Sequence, residues 1–409
     1  MQKKLFAYED SSACPASDGR LLSEMSLAVQ PNMSVLGWPT EAGSRALTGF
    51  TAIYDATVVE RLKAAGAAIK GSVCMSEFGF GLAGDSAVAA LSRDQVDCVL
   101  MTDTLGEARV AACLAGAFGF KPSYGLVSRF GLIGLIPSME CWGILAKRLG
   151  DIAKVMSVVA GNDPRDLSMP EFGDDVEPPD FDPVLETPTS IDTLGVVTDC
   201  LDRLSEDESR AFEAMISKLE NSGFQIQKVR LKDFDLARTV HHVIGAVEAS
   251  SSAGKYDGVR YGHRAAEAKN WNEMYLNSRA ESFGLMVKTY LFQGAYFQYE
   301  NYDAMVDAAR VRTRLIAETE AALERCDLLM LPARRAALDP FGAATIDAVY
   351  DVFAMTLIAN ITGHPAVTLP GRVKCKDTDL GLQLIGPRFK DSHLLSMAAR
   401  LTDLARKGI

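Results

Sequence analysis

Three observations predict an α/β layered fold for this chain of 409 residues. Short apolar runs alternate with helical patterns along its length. A composition of 48% hydrophobic and 23% charged residues is that of a globular protein and excludes disorder for most of the chain. No apolar run reaches the roughly 18 residues that a membrane-spanning helix needs.

The elements follow in order. Asp55 is expected to cap a helix through Val58, Val59 and Leu62 that ends at Gly66, and Ala67–Ile69 starts a strand. Val99–Thr102 reads as a strand. After it Val110, Cys113, Leu114, Ala117 and Phe118 fall at helical spacing, which predicts a helix over 107–118 ending at Gly119. Leu194–Val197 reads as a strand, and Ser205 with Glu208 forms a capping box for the helix carrying Phe212, Met215, Ile216 and Leu219. Phe224–Val229 is the next strand. A helix is expected over about 300–324, strands at Leu328–Leu331 and Leu382–Ile385, and a last helix near Leu394–Lys407.

Residues 161–190 break this rhythm. They hold six of the 16 prolines, and nine acids against one arginine, a net charge of −8 within a total of −11. The segment reads as a long solvated loop. The overall negative charge argues against a general nucleic-acid or anionic-membrane binder. The N-terminal stretch has no apolar core of a secretory signal. The eight cysteines are scattered with no C-x-x-C pair, and five histidines give no zinc spacing, so reduced thiols in a cytoplasmic protein are expected, with no metal and no cofactor.

One stretch, DTLGEARVAACLAGAFGFKPSYGLVSRFGL from Asp103 to Leu132, resembles the amidase signature family, whose G-x-K-P-[ST]-Y-G motif stands here as Gly119 to Gly125. Six further segments resemble the family in the same order. They begin at Ala42 (AGSRALTGF…), Val158 (VVAGNDPRD), Glu248 (EASSSAGKYDGVRYGHR), Val311 (VRTRLI), Ile361 (ITGHPAVTLPG) and Gly381 (GLQLIGPRF). The Y-D-G-V-R-Y-G run at 256–262 is most similar to the A-subunit branch, that of the aspartyl/glutamyl-tRNA amidotransferases. The resemblance implies one large domain over 1–409, an amidase-signature fold whose central mixed β-sheet is covered by helices on both faces. The 161–190 loop then becomes an internal excursion. It also implies that the family's N-terminal helices and the long loop after Phe78 are largely missing.

Members of this family hydrolyse amides with a Ser–cis-Ser–Lys triad: a neutral lysine takes the proton relayed from the nucleophilic serine, and backbone N–H groups hold the oxyanion. The resemblance assigns these roles to positions that cannot fill them. Gln30 stands at the lysine position, and an amide is no base. Ala83 stands at the relay serine, 24 residues before Glu107, which stands at the nucleophile. Leu105 replaces a turn glycine beside Gly106. Ser86 reads as a helix N-cap in preference to a displaced relay serine. Thr104 and Glu107 read as a capping box, with the carboxylate complementing the helix dipole. The donor-binding tyrosine, arginine and aspartate of the amidotransferase branch fall at His241, Tyr290 and Phe353, with Lys288 and Asp351 close by. A charged clamp for a free amino acid is then absent. His242 beside His241 reads as packing, and Arg260 and His263 as a rim turn or the lining of an old channel.

The expectation is a degenerate member with no catalytic residues, acting as a binding or scaffold protein beside a protein partner or a second copy. It would touch a small-molecule ligand of unknown identity, tRNA only indirectly, and no membrane. The alternative is an amidohydrolase or amidotransferase with rebuilt chemistry around Glu107, or around Cys74 or Cys113. A working transamidase fits poorly, because no lysine lies between Lys4 and Lys63.

Overall fold

A computed structural model describes residues 4–15, 19–170, 181 and 193–406. Eleven strands form one sheet: β1 (Phe6–Glu9), β2 (Ser26–Val29), β3 (Ala68–Val73), β4 (Cys98–Asp103), β5 (Phe118–Lys121), β6 (Cys141–Ala146), β7 (Thr193–Val197), β8 (Gln225–Val229), β9 (Leu328–Pro332), β10 (Ala366–Leu369) and β13 (Leu382–Ile385). Their order is β1-β3-β2-β4-β6-β5-β10-β13-β9-β7-β8. The sheet is mixed: β2 lies parallel to β3 and β4, β7 lies parallel to β8 and β9, and the central strands pair antiparallel. The short pair β11 (Lys374–Cys375) and β12 (Thr378–Asp379) stands apart.

Helices cover both faces. One core packs α1 (Thr57–Ala64), α4 (Leu149–Val159), α5 (Glu206–Asn221) and α12 (Asp391–Arg406) on the sheet. The other packs α2 (Ala87–Ser92), α3 (Glu107–Ala115), α6 (Ala237–Ser252), α8 (Leu285–Tyr299), α9 (Tyr302–Leu323), α10 (Ile346–Phe353) and α11 (Leu357–Thr362), with α7 (Trp271–Ser282) against the helical turn at Arg45–Leu47. Strands such as β4 and β6 are buried along their whole length, as strands covered on both sides must be. No helix among the described residues is long and apolar enough to cross a membrane.

Several local expectations hold. Ser205 and Glu208 make both hydrogen bonds of the capping box at α5, and α1 buries Val58, Val59 and Leu62. Others are corrected. Gly116 adopts a left-handed conformation (φ 60°) and ends α3 there, so Phe118 starts a strand where a helix over 107–118 was expected. Backbone pairing of Phe118–Phe120 with β6 outweighs the helical spacing of the side chains. The N-cap of α1 is Ala56. Asp55 instead accepts from the Leu36 N–H (2.7 Å) and pairs with Lys63. Ser86 stands at the N-cap of α2, but its Oγ bonds outside the helix, donating to the Leu5 carbonyl (2.5 Å) and accepting from the Cys74 N–H (2.8 Å). The start of the acidic segment is largely exposed, as expected, but is anchored at Asp163. Asp163 is buried and accepts from Thr57, Ser128 and Arg165. The rest of that expected loop, 171–180 and 182–190, lies outside the described residues.

Candidate functional site

The site forms where β4 ends and α3 begins. The turn Thr104-Leu105-Gly106 joins them. Gly106 has φ 125°, and a Cβ there would sit 2.1 Å from Thr356 Oγ1, so only glycine fits. Thr356 Oγ1 donates to the Leu105 carbonyl (2.5 Å) and fixes the turn from the far end of the chain.

The turn points its N–H groups at one carboxylate. Glu107 Oε2 accepts from the N–H of Thr104 (2.7 Å), Leu105 (2.8 Å) and Gly106 (3.1 Å), and Oε1 accepts from Gly81 N–H (3.2 Å). Successive backbone N–H groups aimed at one anion form a nest. The Glu107 side chain folds back into the nest beside its own helix, and it is 1% exposed. Burial pushes its pKa up to about 7, and the Asp103 charge adds to this against the hydrogen bonds from Leu105 and Thr104. This corrects the expected capping box. The N-cap is Gly106, no Thr104 side-chain cap forms, and the Glu107 carboxyl takes the three N–H groups of the turn.

Gln30 follows β2, is 2% exposed, and spans two partners. Its Oε1 accepts from Thr102 N–H (2.8 Å) and Oγ1 (3.0 Å), and its Nε2 donates to Asp85 Oδ2 (2.7 Å). Burial raises the Asp85 pKa to about 6, and its second oxygen accepts from Ala87 N–H (2.6 Å). Ala83 is half-buried in the same loop. The loop reaches Glu107 through Gly81 and Gln30 through Asp85, on either side of Ala83.

One of the three expected pocket positions, His241, meets this turn, and a second, Tyr290, is linked to it through Tyr350. His241 on α6 is fully buried, and burial lowers its pKa to about 3, so the ring is neutral. Its Nε2 lies 3.0 Å from the Thr104 carbonyl and therefore carries the hydrogen. Nδ1 then accepts from Tyr350 Oη (2.9 Å), which leaves the Tyr350 oxygen to accept from Tyr290 Oη (2.9 Å). Gly245 makes room for the Tyr290 phenol, since a Cβ there would lie 2.4 Å from the hydroxyl. Phe353 is fully buried beside the Gly81 loop and joins no polar chain. Phe80 closes the group, with ring centroids 4.7 Å from Tyr290.

The remaining candidates fall elsewhere. Asp351 is exposed and paired with Arg238 (2.6 Å), and Lys288 is half-buried. His242 stacks on Tyr350 and Tyr290. His263 pairs with Glu281 at the surface and Arg260 is exposed. Burial raises the Cys113 pKa far above its ordinary value, leaving it an unreactive thiol. Among the described residues no group of three or more His, Cys, Asp or Glu is placed to hold a metal ion.

Sequence reasoning missed Tyr350 and Arg109. Tyr350 lies in the buried stripe of α10 and reads as core. Arg109 sits inside an apolar helix and gives no sign of its partners. It donates to Asp103 (2.7 Å), the Thr356 carbonyl (2.9 Å), Gln383 (2.5 Å) and Asn360. Burial raises the Asp103 carboxyl, but the Arg109 charge outweighs it and holds the group below the usual range.

Similarity to known proteins runs through these same segments. The family model described as Amidase matches residues 3–89 and 86–395. The A-subunit of glutamyl-tRNA(Gln) amidotransferase from Symbiobacterium thermophilum is 34% identical over 92% of this chain and 82% of its own length. Its counterpart from Natronomonas pharaonis is 33% identical over 95% of this chain and 97% of its own. The crystal structure of the Thermotoga maritima counterpart superposes with a TM-score of 0.76 at 25% identity, covering 96% of this chain and 86% of that one. A solved amidase gives 0.77 at 22% identity over 98% of this chain and 92% of that one, a likeness of fold. Motif order, the mixed sheet and these matches agree, and the chain belongs to the amidase signature family.

Proposed function

We propose that this chain is a non-hydrolytic member of the family that works as a binding or scaffold protein, its Ser–cis-Ser–Lys chemistry lost. One observation carries the reading: Glu107 fills with its own carboxylate the N–H nest at the position where relatives hold an oxyanion. A carboxyl group already seated there occupies the N–H donors that an oxyanion would need. Gln30 supports the reading, because its amide is spent on Asp85 and Thr102 and offers no base. So does closure: Glu107, His241, Tyr290 and Phe353 are each at most 1% exposed, which keeps these groups out of reach of a substrate from solvent. The same closure weighs against rebuilt chemistry at Glu107.

The surface of α8 supports a protein partner or a second copy. The helix buries Val287, Tyr290, Leu291 and Gly294, yet its opposite side exposes Leu285 (82%), Phe292 (74%), Tyr296 and Tyr299 along one face. A helix apolar all round normally has both sides covered. Relatives are named as subunits, which agrees with an associated protein. One domain over the whole chain is part of the reading, since the sheet joins strands from Phe6 to Ile385.

The test is release of ammonia from glutamine, asparagine and simple aliphatic amides. No turnover above the blank is expected, and Glu107→Ser alone restores none because the lysine and relay serine are still missing. Turnover that survives Glu107→Ala and disappears with a serine-directed inhibitor overturns the proposal.

A further inference from the structure

Where the parallel strands β2 and β3 end, the fold leaves a cavity of about 230 Å³ that the closed site does not use. Its position follows from a slip in register. Leu27 pairs with Ile69, but Ala28 pairs with Gly71 and Val29 with Ser72, so one residue is bulged at Lys70. The bulge turns Ser72 to the face that carries Val29, and across the antiparallel pair Ser72 stands opposite Tyr8. Val73 goes to the other core.

Ser72 is 2% exposed and lines the cavity, and its Oγ has no hydrogen-bond partner among the described residues. A buried hydroxyl left unpaired costs about 1–3 kcal/mol. Around it Tyr8, Pro31, Pro39 and Met75 give an apolar wall, and Cys74 adds a half-buried thiol. The mouth holds Glu41, one of whose oxygens is taken by the Gly49 N–H (2.6 Å). The carboxyl ends of parallel strands are where α/β sheets commonly seat small ligands. The volume lies below the roughly 300–1,000 Å³ of drug-sized pockets.

We propose that this cavity binds a small uncharged organic molecule with an apolar body and one hydrogen-bonding head. The head meets Ser72 Oγ, and the body lies on Tyr8, Pro31, Pro39 and Met75. A charged head is disfavoured at the floor, because nothing there compensates its desolvation.

Cys74 supplies the readout. In the full-length chain carrying Cys14→Ser, which removes the exposed thiol, alkylation of Cys74 by iodoacetamide is followed by peptide mass spectrometry. Benzyl alcohol is the probe. It is expected to slow alkylation saturably, at least fivefold at millimolar concentration. Ser72→Ala is expected to raise the half-protecting concentration about tenfold while the melting temperature does not fall, since the unpaired hydroxyl is removed, and Glu41→Gln to leave the half-protecting concentration unchanged. The proposal is overturned if wild-type protection is absent or does not saturate, if Ser72→Ala protects equally well, or if only benzylamine protects and Glu41→Gln abolishes that.

Discussion

Glu107 carries its own pH dependence. Its folded pKa, about 7, lies above the ordinary carboxyl value, so the folded state takes up its proton more readily than the unfolded chain. The stability this gives is present in full below the unfolded pKa and is lost as pH rises through about 7. Asp85 and Asp391, both raised to about 6 by burial, act in the same direction. His241 and His364, both lowered to about 3 by burial, act oppositely, and their contribution is lost as pH falls from 6.5 towards 3. Glu107→Gln is therefore expected to flatten the decline in stability between about pH 5 and 8 by a few kcal/mol, read from urea denaturation at each pH. A decline unchanged in the variant contradicts the assignment. Tyr350 is the other residue of note. Tyr350→Phe leaves His241 Nδ1 and the Tyr290 hydroxyl without each other's link, and a loss of about 1–3 kcal/mol is expected in the same measurement.

At the scale of elements, the β4–α3 turn and α8 are the two open to test. Gly106→Ala places a methyl group against Thr356 in a backbone conformation that L residues avoid. A loss of about 4 kcal/mol or more follows, large enough to appear as a fall in soluble expression or melting temperature. Alanine tolerated within about 1 kcal/mol would mean that the turn is looser than described. On α8, Phe292→Asp replaces an exposed ring, so stability should change by no more than about 0.5 kcal/mol. Sedimentation velocity on the wild type and variant then reports the face. A self-associating wild type should become a monomer, whereas association at undiminished strength rules this face out. Element existence was legible from periodicity and caps, as Ser205 with Glu208 shows for α5. The end of α3 was not. Ala117 and Phe118 continue the helical spacing, and only the backbone pairing of β5 with β6 and β10 claims Phe118 for a strand.

Across the whole molecule, Arg109 is the junction. From α3 it reaches Asp103 at the end of β4, Thr356 beside α11, Asn360 on α11 and Gln383 on β13. The Asp103–Arg109 pair is fully buried. Removing one member leaves an uncompensated charge, so Arg109→Met is expected to lose about 3–5 kcal/mol. Adding Asp103→Asn should recover part of this, and a double variant as unstable as the sum of the two singles would show that the pair is not coupled. The junction could not be read along the chain, because its partners on α11 and β13 lie hundreds of residues away.

The sequence by itself determined the α/β class, the order of family motifs, and most helices and strands. These are properties of local spacing, turn chemistry and side-chain identity, and neighbours in sequence are enough to express them. Tertiary structure alone decided what the residues of the site do. Glu107 accepts the Thr104 N–H of the expected capping box, but the Thr104 side chain does not complete it. Its carboxyl group fills a nest of N–H groups completed by Gly81. His241 and Tyr290 are not a vacant pocket, but links in a buried chain joined by Tyr350, a residue that looked like core. The physical reason is the same in each case. A buried polar group must find a partner wherever the packed chain brings one, and that choice is made by the fold of distant segments, not by the residues beside it.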